Sequence, residues 1–220
     1  MRILVLIFLL VLTQTHTKGQ VSTSDVFIID VFMSLQGIGF TDAEKRELIR
    51  NAKVNDGETE TTFELDTAEN SIIIQSCFIG SMTMPCDIQY IKSFKTKNNN
   101  YKVVYSSSSI SYADKRQNAF SIFDFNKENK SLTKDLEDHK SLRLTLKDFF
   151  KENAPKSILE KYIDNVEPIY SFEGNRFFCS ISDDGYSKTL LTESSLKANR
   201  IEIEWNGEKF LIKEYKIMKN

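Results

Sequence analysis

The spacing of hydrophobic side chains changes from a helical to an alternating pattern, and then repeats that change further along the chain. Apolar residues from Val26 to Leu35 recur every three or four positions, which predicts a helix that ends at Gly37. A strand is the competing interpretation of this run. The sequence Thr41-Asp42-Ala43-Glu44 has the form of a capping box, in which the Thr hydroxyl and the Glu carboxylate satisfy free backbone N–H groups. It predicts a second helix up to about Lys53.

Beyond Asn55-Asp56-Gly57 the apolar positions alternate, as they do in strands with one buried face. Five strands are predicted: Thr59–Leu65, Ser71–Phe78, Asp87–Lys95, Tyr101–Ile110 and Ala119–Phe125. In the last strand, Phe120 and Ile122 fall on one face, and Phe123 and Phe125 fall on the other. Residues 126–140 are polar and charged, and we interpret them as a loop or linker.

The second half repeats this order. Thr145-Leu146-Lys147-Asp148 is a second capping box and predicts a helix to about Glu152, and Pro155 suits the first position of another helix up to Ile163. Asn206-Gly207 predicts a type I′ hairpin turn. Five strands are predicted: Glu167–Phe172, Arg176–Ile181, Tyr186–Leu191, Arg200–Trp205 and Lys209–Ile217. In Arg200–Trp205, Glu202 and Glu204 are expected to face solvent, opposite Ile201, Ile203 and Trp205.

Together these elements predict an α+β fold, with antiparallel β-meander sheets and short N-terminal helix pairs. Because both halves read as two helices followed by about five strands, we expect two similar tandem units at residues 24–126 and 141–217, joined by a polar linker at 127–140. A single α+β domain over residues 20–220 is the alternative.

The N-terminus has the order of regions found in a secretory signal peptide. Arg2 precedes an unbroken apolar run from Ile3 to Leu12, and the chain turns polar from Thr13 onward. This run is half the length of about 20 residues that spans a bilayer as a helix, which disfavours the alternative of an uncleaved anchor. We expect residues 1–19 to be removed near Gly19-Gln20, which would leave a secreted or periplasmic protein with no integral membrane segment.

The charge balance disfavours nucleic acid and anionic membranes as partners. Cleavage would remove Arg2 and Lys18 and no acidic residue, which leaves 27 basic against 31 acidic side chains, with both signs scattered along the chain. The densest basic stretch, Lys92–Lys102, reads as a solvated hairpin tip around Asn98-Asn99-Asn100.

Three cysteines in an exported chain leave an odd thiol. Cys77 and Cys86 are the local candidates for a disulfide. Cys179 lies in an apolar run and is expected to be a buried thiol. Pairing of Cys179 with either of the other two is the alternative.

Residues that could carry catalysis are scarce. His139 is the only histidine after the predicted cleavage site and lies in a charged segment, where a solvated side chain is expected. No nucleotide-binding motif is present, and Asp183-Asp184-Gly185 reads as a turn rather than a calcium loop. We therefore nominate no catalytic, cofactor-binding or metal-binding residue, and no cofactor.

The favoured hypothesis is a non-enzymatic protein that binds a protein or envelope ligand through a sheet face or a groove between the two units. Aromatic side chains on the second face of a meander suit such a surface, and the candidates are Tyr90, Tyr101, Tyr105 and Tyr112. The alternative is a carboxylate-dependent hydrolase of envelope or extracellular polymers, which would need two acids in a cleft.

Overall fold

The structure, a computed structural model, describes residues 27–80, 86–110, 116–163, 166–173, 176–181, 190 and 193–218. The predicted signal peptide, the turn Asp183-Asp184-Gly185 and nearly all of the predicted strand Tyr186–Leu191 lie outside these residues. The α+β prediction is confirmed, because the described residues form four α-helices and two antiparallel sheets, with a pair of helices at the N-terminal end.

The first two helices are α1 (Phe27–Ser34) and α2 (Asp42–Asn51). The capping box that begins α2 is confirmed: the Glu44 N–H donates to the Thr41 hydroxyl at 3.3 Å, and the Thr41 N–H donates to the Glu44 carboxylate at 2.7 Å. The Thr41 N–H and the Thr41 hydroxyl both donate to the Glu44 carboxylate, and these two bonds lower the pKa of Glu44. The helix ends two residues before the predicted Lys53, because Ala52 adopts a left-handed conformation that closes it.

The buried ammonium group of Lys45 joins the two helices. Its side chain is 1% exposed, and Nζ donates to the carbonyl oxygens of Met33, at 3.3 Å, and Leu35 at the end of α1. Those carbonyls lack partners within α1, so a lysine of one helix caps the other. Burial lowers the pKa of Lys45, and the nearby Asp42 opposes that change.

Sheet one is a seven-stranded antiparallel meander in which each strand pairs with the next along the chain. Its strands are β1 (Lys53–Asn55), β2 (Thr59–Asp66), β3 (Ser71–Phe78), β4 (Cys86–Lys95), β5 (Tyr101–Ile110), β6 (Arg116–Asn126) and β7 (Ser131–Lys134). The five predicted strands are β2 to β6. The prediction missed β1 and β7, because three or four residues are too few to show an alternating pattern.

Both faces of sheet one are covered over its central strands. On the face that we call the helix face, Ile72, Ile74 and Val103 form a core with α1 and α2. On the opposite face, which we call the junction face, Val104 and Ile122 belong to a second core. The predicted split of β6 is confirmed, since Phe120 packs against the second core and Phe123 against the first.

The loop interpretation of residues 126–140 is wrong. This segment contains β7 and the start of α3 (Leu136–Leu142), whose N-terminus is capped by the carboxylate of Asp135. The capping bonds run from the Glu137 and Asp138 backbone N–H groups, at 2.9 and 3.0 Å. The polar composition that suggested a linker instead reflects an exposed edge strand and a helix with many solvent-facing positions.

Lys102 of β5 holds α3 against sheet one. Its ammonium group pairs with Asp124 of β6 at 2.9 Å, with Asp138 at 3.2 Å and with Asp135. Burial lowers the pKa of Lys102, but the three carboxylates outweigh it and raise the pKa above the usual value for lysine. The pKa of Asp135 is held below its usual value, because Lys102 and the capping bonds outweigh its burial. Lys102 is therefore not part of a solvated hairpin tip.

A 3₁₀ helix (Leu146–Phe149) and α4 (Lys156–Tyr162) connect α3 to sheet two. The helix predicted from Thr145 to Glu152 is only one turn long, because Phe150 is extended and forms a β-bridge with Leu196. The helix predicted from Pro155 is confirmed as α4, with Pro155 at its N-cap.

Sheet two has the strand order β11-β10-β9-β8, all antiparallel. Its strands are β8 (Pro168–Glu173), β9 (Arg176–Ile181), β10 (Arg200–Trp205) and β11 (Phe210–Lys216). The Asn206-Gly207 hairpin is confirmed, but its type I′ geometry is wrong. Only Gly207 has a positive φ, 96°, and the Asn206 side chain accepts from the Glu208 and Lys209 N–H groups at 3.0 and 2.9 Å, within a four-residue connection.

Sheet two packs its apolar face on the junction face of sheet one. Tyr170 is central to this contact: its ring stacks on Phe120 of β6 at 4.0 Å, and its carbonyl oxygen accepts from the Ser106 hydroxyl of β5 at 3.0 Å. Tyr170 and Phe177 of sheet two and Val104 and Ile122 of sheet one share one buried cluster. The protein is thus layered, with α1 and α2 on one side of sheet one and sheet two on the other.

Candidate functional site: a groove where the two sheets meet

The three candidate tyrosines that the structure describes do not form a common surface. Tyr101 and Tyr105 lie on the helix face, where Tyr101 stacks on Phe27 at 3.9 Å and Tyr105 is buried. Burial raises the pKa of Tyr105. Tyr90 lies on the junction face, and Tyr112 lies outside the described residues. The prediction of one aromatic surface is therefore corrected for these three tyrosines. Tyr90 pairs with Ser106 of β5 and shares its face, whereas Tyr105 is the neighbour of Ser106 and projects to the opposite face, together with Tyr101.

Tyr90 instead lines a groove of about 210 Å³ between the junction face and the end of β8. Its aromatic walls come from both sheets: Tyr90 from sheet one and Phe172 from sheet two, with ring centroids 6.1 Å apart and ring planes at 56°. Ile73 of β3 adds an aliphatic surface. We call this feature the sheet-junction groove.

Three carboxylates also line the sheet-junction groove: Glu64 and Asp66 of β2, and Glu69 of the β2–β3 turn. Glu69 pairs with Lys92 at 3.2 Å, and the lysine is 3% exposed. Asp66 uses one oxygen to accept from the Glu69 N–H group at 2.9 Å, which is a local turn bond. Among the residues that the structure describes, neither Glu64 nor Asp66 has a salt-bridge partner, so the groove keeps an excess of negative charge.

Aromatic packing next to the groove fixes the position of its sheet-two wall. Phe172 stacks on Phe177 at 4.9 Å and lies 6.5 Å from Phe94 of β4. Close by, the Trp205 indole N–H donates to the Lys95 carbonyl oxygen at 2.9 Å. These contacts hold the two sheets together in the structure, and the two aromatic walls of the groove lie on strands, Tyr90 on β4 and Phe172 on β8.

The hairpin tips of the two sheets also meet. Lys97, in the β4–β5 turn, forms a salt bridge with Glu208, in the β10–β11 turn, although both side chains are exposed. Lys97 is therefore solvated, as predicted for this stretch, whereas Lys92 is buried. Lys92 differs because it lies within β4 on the junction face and pairs with Glu69, whereas Lys97 lies in the turn.

The three cysteines comprise one disulfide-bonded pair and one free thiol. Cys77 and Cys86 occupy opposed positions of β3 and β4 and form a disulfide, with their Cα atoms 4.1 Å apart. Cys179 is a free, fully buried thiol in β9. Burial raises its pKa, which keeps it protonated and unreactive near neutral pH.

His139 of α3 has few of the contacts that acid–base catalysis requires. Its ring stacks over Phe120 at a centroid distance of 5.8 Å, and its buried Nδ1 has no hydrogen-bond partner within the described residues. Burial, together with the charges of Lys134 and Arg143, lowers its pKa. The expectation of a fully solvated side chain is wrong, because the ring packs on the sheet.

Glu202 also differs from expectation. It is 6% exposed because β10 is an inner strand, and Glu202 lies between Phe178 of β9 and Glu214 of β11. Lys216 at 3.2 Å and Lys213 at 3.8 Å hold its pKa below the usual value, although burial acts in the opposite direction. Glu204 is exposed, as predicted.

Across the described ranges, no group of three or more His, Cys, Asp or Glu side chains is arranged to hold a metal ion. None of the helices in those ranges is both long enough and apolar enough to span a bilayer.

Comparisons with known proteins identify a fold and no function. No protein-family model and no curated protein matches the chain. Among solved structures, the chain is similar to a domain of an uncharacterized protein from Porphyromonas gingivalis W83. The TM-score is 0.52 and the identity 12%, and the match covers 84% of this chain and 98% of that one. At this identity the similarity indicates a shared fold alone.

Proposed function

We propose that this chain is a secreted or periplasmic, non-enzymatic protein that binds a protein or envelope ligand in the sheet-junction groove. The observation that carries this proposal is the pairing of Tyr90 and Phe172, two partly exposed rings from different sheets, beside the carboxylates of Glu64 and Asp66. Rigid aromatic anchors beside polar groups are typical of recognition surfaces.

Export is supported by the N-terminal pattern of Arg2 and the apolar run that follows it. It is also supported by the Cys77–Cys86 disulfide, a bond that persists mainly in oxidising compartments. A non-enzymatic role is supported by the burial or packing of the two side chains that would serve most readily as nucleophile and base. Cys179 is buried and protonated, and the His139 ring lies against Phe120.

A peptide selection tests the proposal. A random peptide library is enriched against the mature chain, and the selected peptides are measured on Tyr90→Ser and on the control Tyr215→Ser, which removes an exposed ring of β11. We expect Tyr90→Ser to weaken binding at least about tenfold, as loss of an interface anchor does, and Tyr215→Ser to leave it unchanged. Failure to enrich any binder, or equal losses for both variants, would overturn the proposal.

A hydrolase remains the second candidate, because the groove contains the acids that such an enzyme would need. Glu64, Asp66 and Glu69 all line it. The test is to incubate the chain with cell-wall and extracellular polysaccharides and to assay the release of reducing ends. Turnover that is abolished by Glu64→Gln would replace the binding proposal with this one.

A further inference from the structure

We infer that the sheet-junction groove takes the side chain of a lysine or arginine on a protein partner. This inference rests on the proposed binding function and specifies its ligand. The first argument is size, since the groove holds about 210 Å³. Pockets that enclose whole small molecules hold roughly 300–1,000 Å³, so the groove fits one long side chain better than a complete small ligand.

The second argument comes from the rings. Phe172 is held in place by its stack on Phe177, with ring planes at 17°, and Tyr90 lies across the groove at 56° to it. An ammonium or guanidinium group beside such rings is attracted to their negative faces. The aliphatic part of a lysine or arginine would at the same time pack on Ile73.

The third argument is charge. Glu64 and Asp66 are exposed and project from the same face of β2, because they are two positions apart. Lys92 pairs with Glu69, and within the described part of the chain neither Glu64 nor Asp66 has a salt-bridge partner. An apolar ligand would leave these carboxylates uncompensated, whereas a cationic side chain neutralises charge at the point where its aliphatic stem is buried.

Blocked pentapeptides of the form Ala-Ala-X-Ala-Ala test this inference on the mature chain, with X as lysine, arginine or the uncharged norleucine. Binding is followed by heteronuclear NMR of the groove amides. We expect the two cationic peptides to bind at least about fivefold more tightly than the norleucine peptide. We also expect their affinity to fall as ionic strength rises.

Two variants and a control locate the effect. Glu64→Gln and Asp66→Asn each remove a charge, and the new Asn keeps an oxygen that can accept from the Glu69 N–H group. Each should remove most of the preference for the cationic peptides, whereas Glu47→Gln on the exposed side of α2 should leave it intact. Circular dichroism confirms that each variant is folded.

The outcomes separate this inference from the proposed function. If the norleucine peptide binds the groove as tightly as the lysine peptide, the inference of a cationic ligand is overturned, while the groove remains a binding site. If none of the peptides shifts a groove amide, the inference is overturned, and a peptide selection that also fails would overturn the proposed function with it.

Discussion

Removing a single oxygen atom from Tyr170 tests how the end of α3 is joined to sheet two. The Tyr170 hydroxyl donates to the Leu142 carbonyl oxygen at 2.5 Å and accepts from the Leu144 N–H group at 2.7 Å, and all three residues are buried. Tyr170→Phe leaves both backbone groups without that partner. They still reach each other, since the Leu144 N–H also donates to the Leu142 oxygen at 2.8 Å. The loss should therefore be about 1–2 kcal/mol, in the lower part of the range for buried unsatisfied groups.

The assay is urea unfolding followed by the fluorescence of Trp205, the chain's one tryptophan, which lies where the sheets meet. The matched control is Tyr101→Phe. Within the described ranges, the Tyr101 hydroxyl makes no hydrogen bond. The substitution keeps the ring, which stacks on Phe27 and packs on the helix-face core, so the free energy of unfolding should change by less than about 0.5 kcal/mol. If Tyr170→Phe changes the free energy of unfolding as little as the control does, the hydroxyl does not hold the end of α3 to sheet two, and this account of the contact is refuted.

Three further predictions concern Lys102, the disulfide and His139. Lys102→Met should lower the free energy of unfolding in urea by about 2–4 kcal/mol, because it leaves the largely buried carboxylates of Asp135 and Asp138 without their cation. The control Lys130→Met breaks only an exposed salt bridge and should lower it by less than about 1 kcal/mol. Equal losses for the two variants would contradict a stabilising role of the Lys102 network. Replacing Cys77 and Cys86 together by serine should cost about 2–3 kcal/mol in the same assay, and no loss would show that the bond is unimportant for stability. Because the folded state lowers the pKa of His139, only the unfolded chain gains its proton just below about pH 6.5, and stability should fall there as pH decreases. His139→Gln should flatten the stability measured between pH 7 and 6, and an unchanged slope would rule out this residue as the cause.

Local signals in the sequence were sufficient for most of the secondary structure. The capping box at Thr41, the strand Thr59–Leu65 and the two faces of β6 each depend on neighbouring residues, and all three are confirmed. One error lies where a long-range contact decides the outcome. The helix predicted from Thr145 stops after one turn, because Phe150 pairs with the distant Leu196.

The candidate site was less accessible from the sequence. The alternation of β2 could have placed Glu64 and Asp66 on one face, opposite Phe63 and Leu65, so this part of the groove had a readable signal. Phe172 had none, because its position beside Tyr90 depends on how sheet two packs on sheet one. Aromatic content alone also could not show that Tyr90 and Tyr105 project to opposite faces of sheet one.

The central claim is that Tyr90 of sheet one and Phe172 of sheet two form one binding site. A double-mutant cycle measures this directly, using a peptide obtained by selection against the mature chain and the variants Tyr90→Ser, Phe172→Ala and their combination, each checked for folding. If both rings contact the same ligand side chain, the two losses of binding free energy should be non-additive by at least about 0.5 kcal/mol. Additive losses, or no loss from either substitution, would contradict the claim.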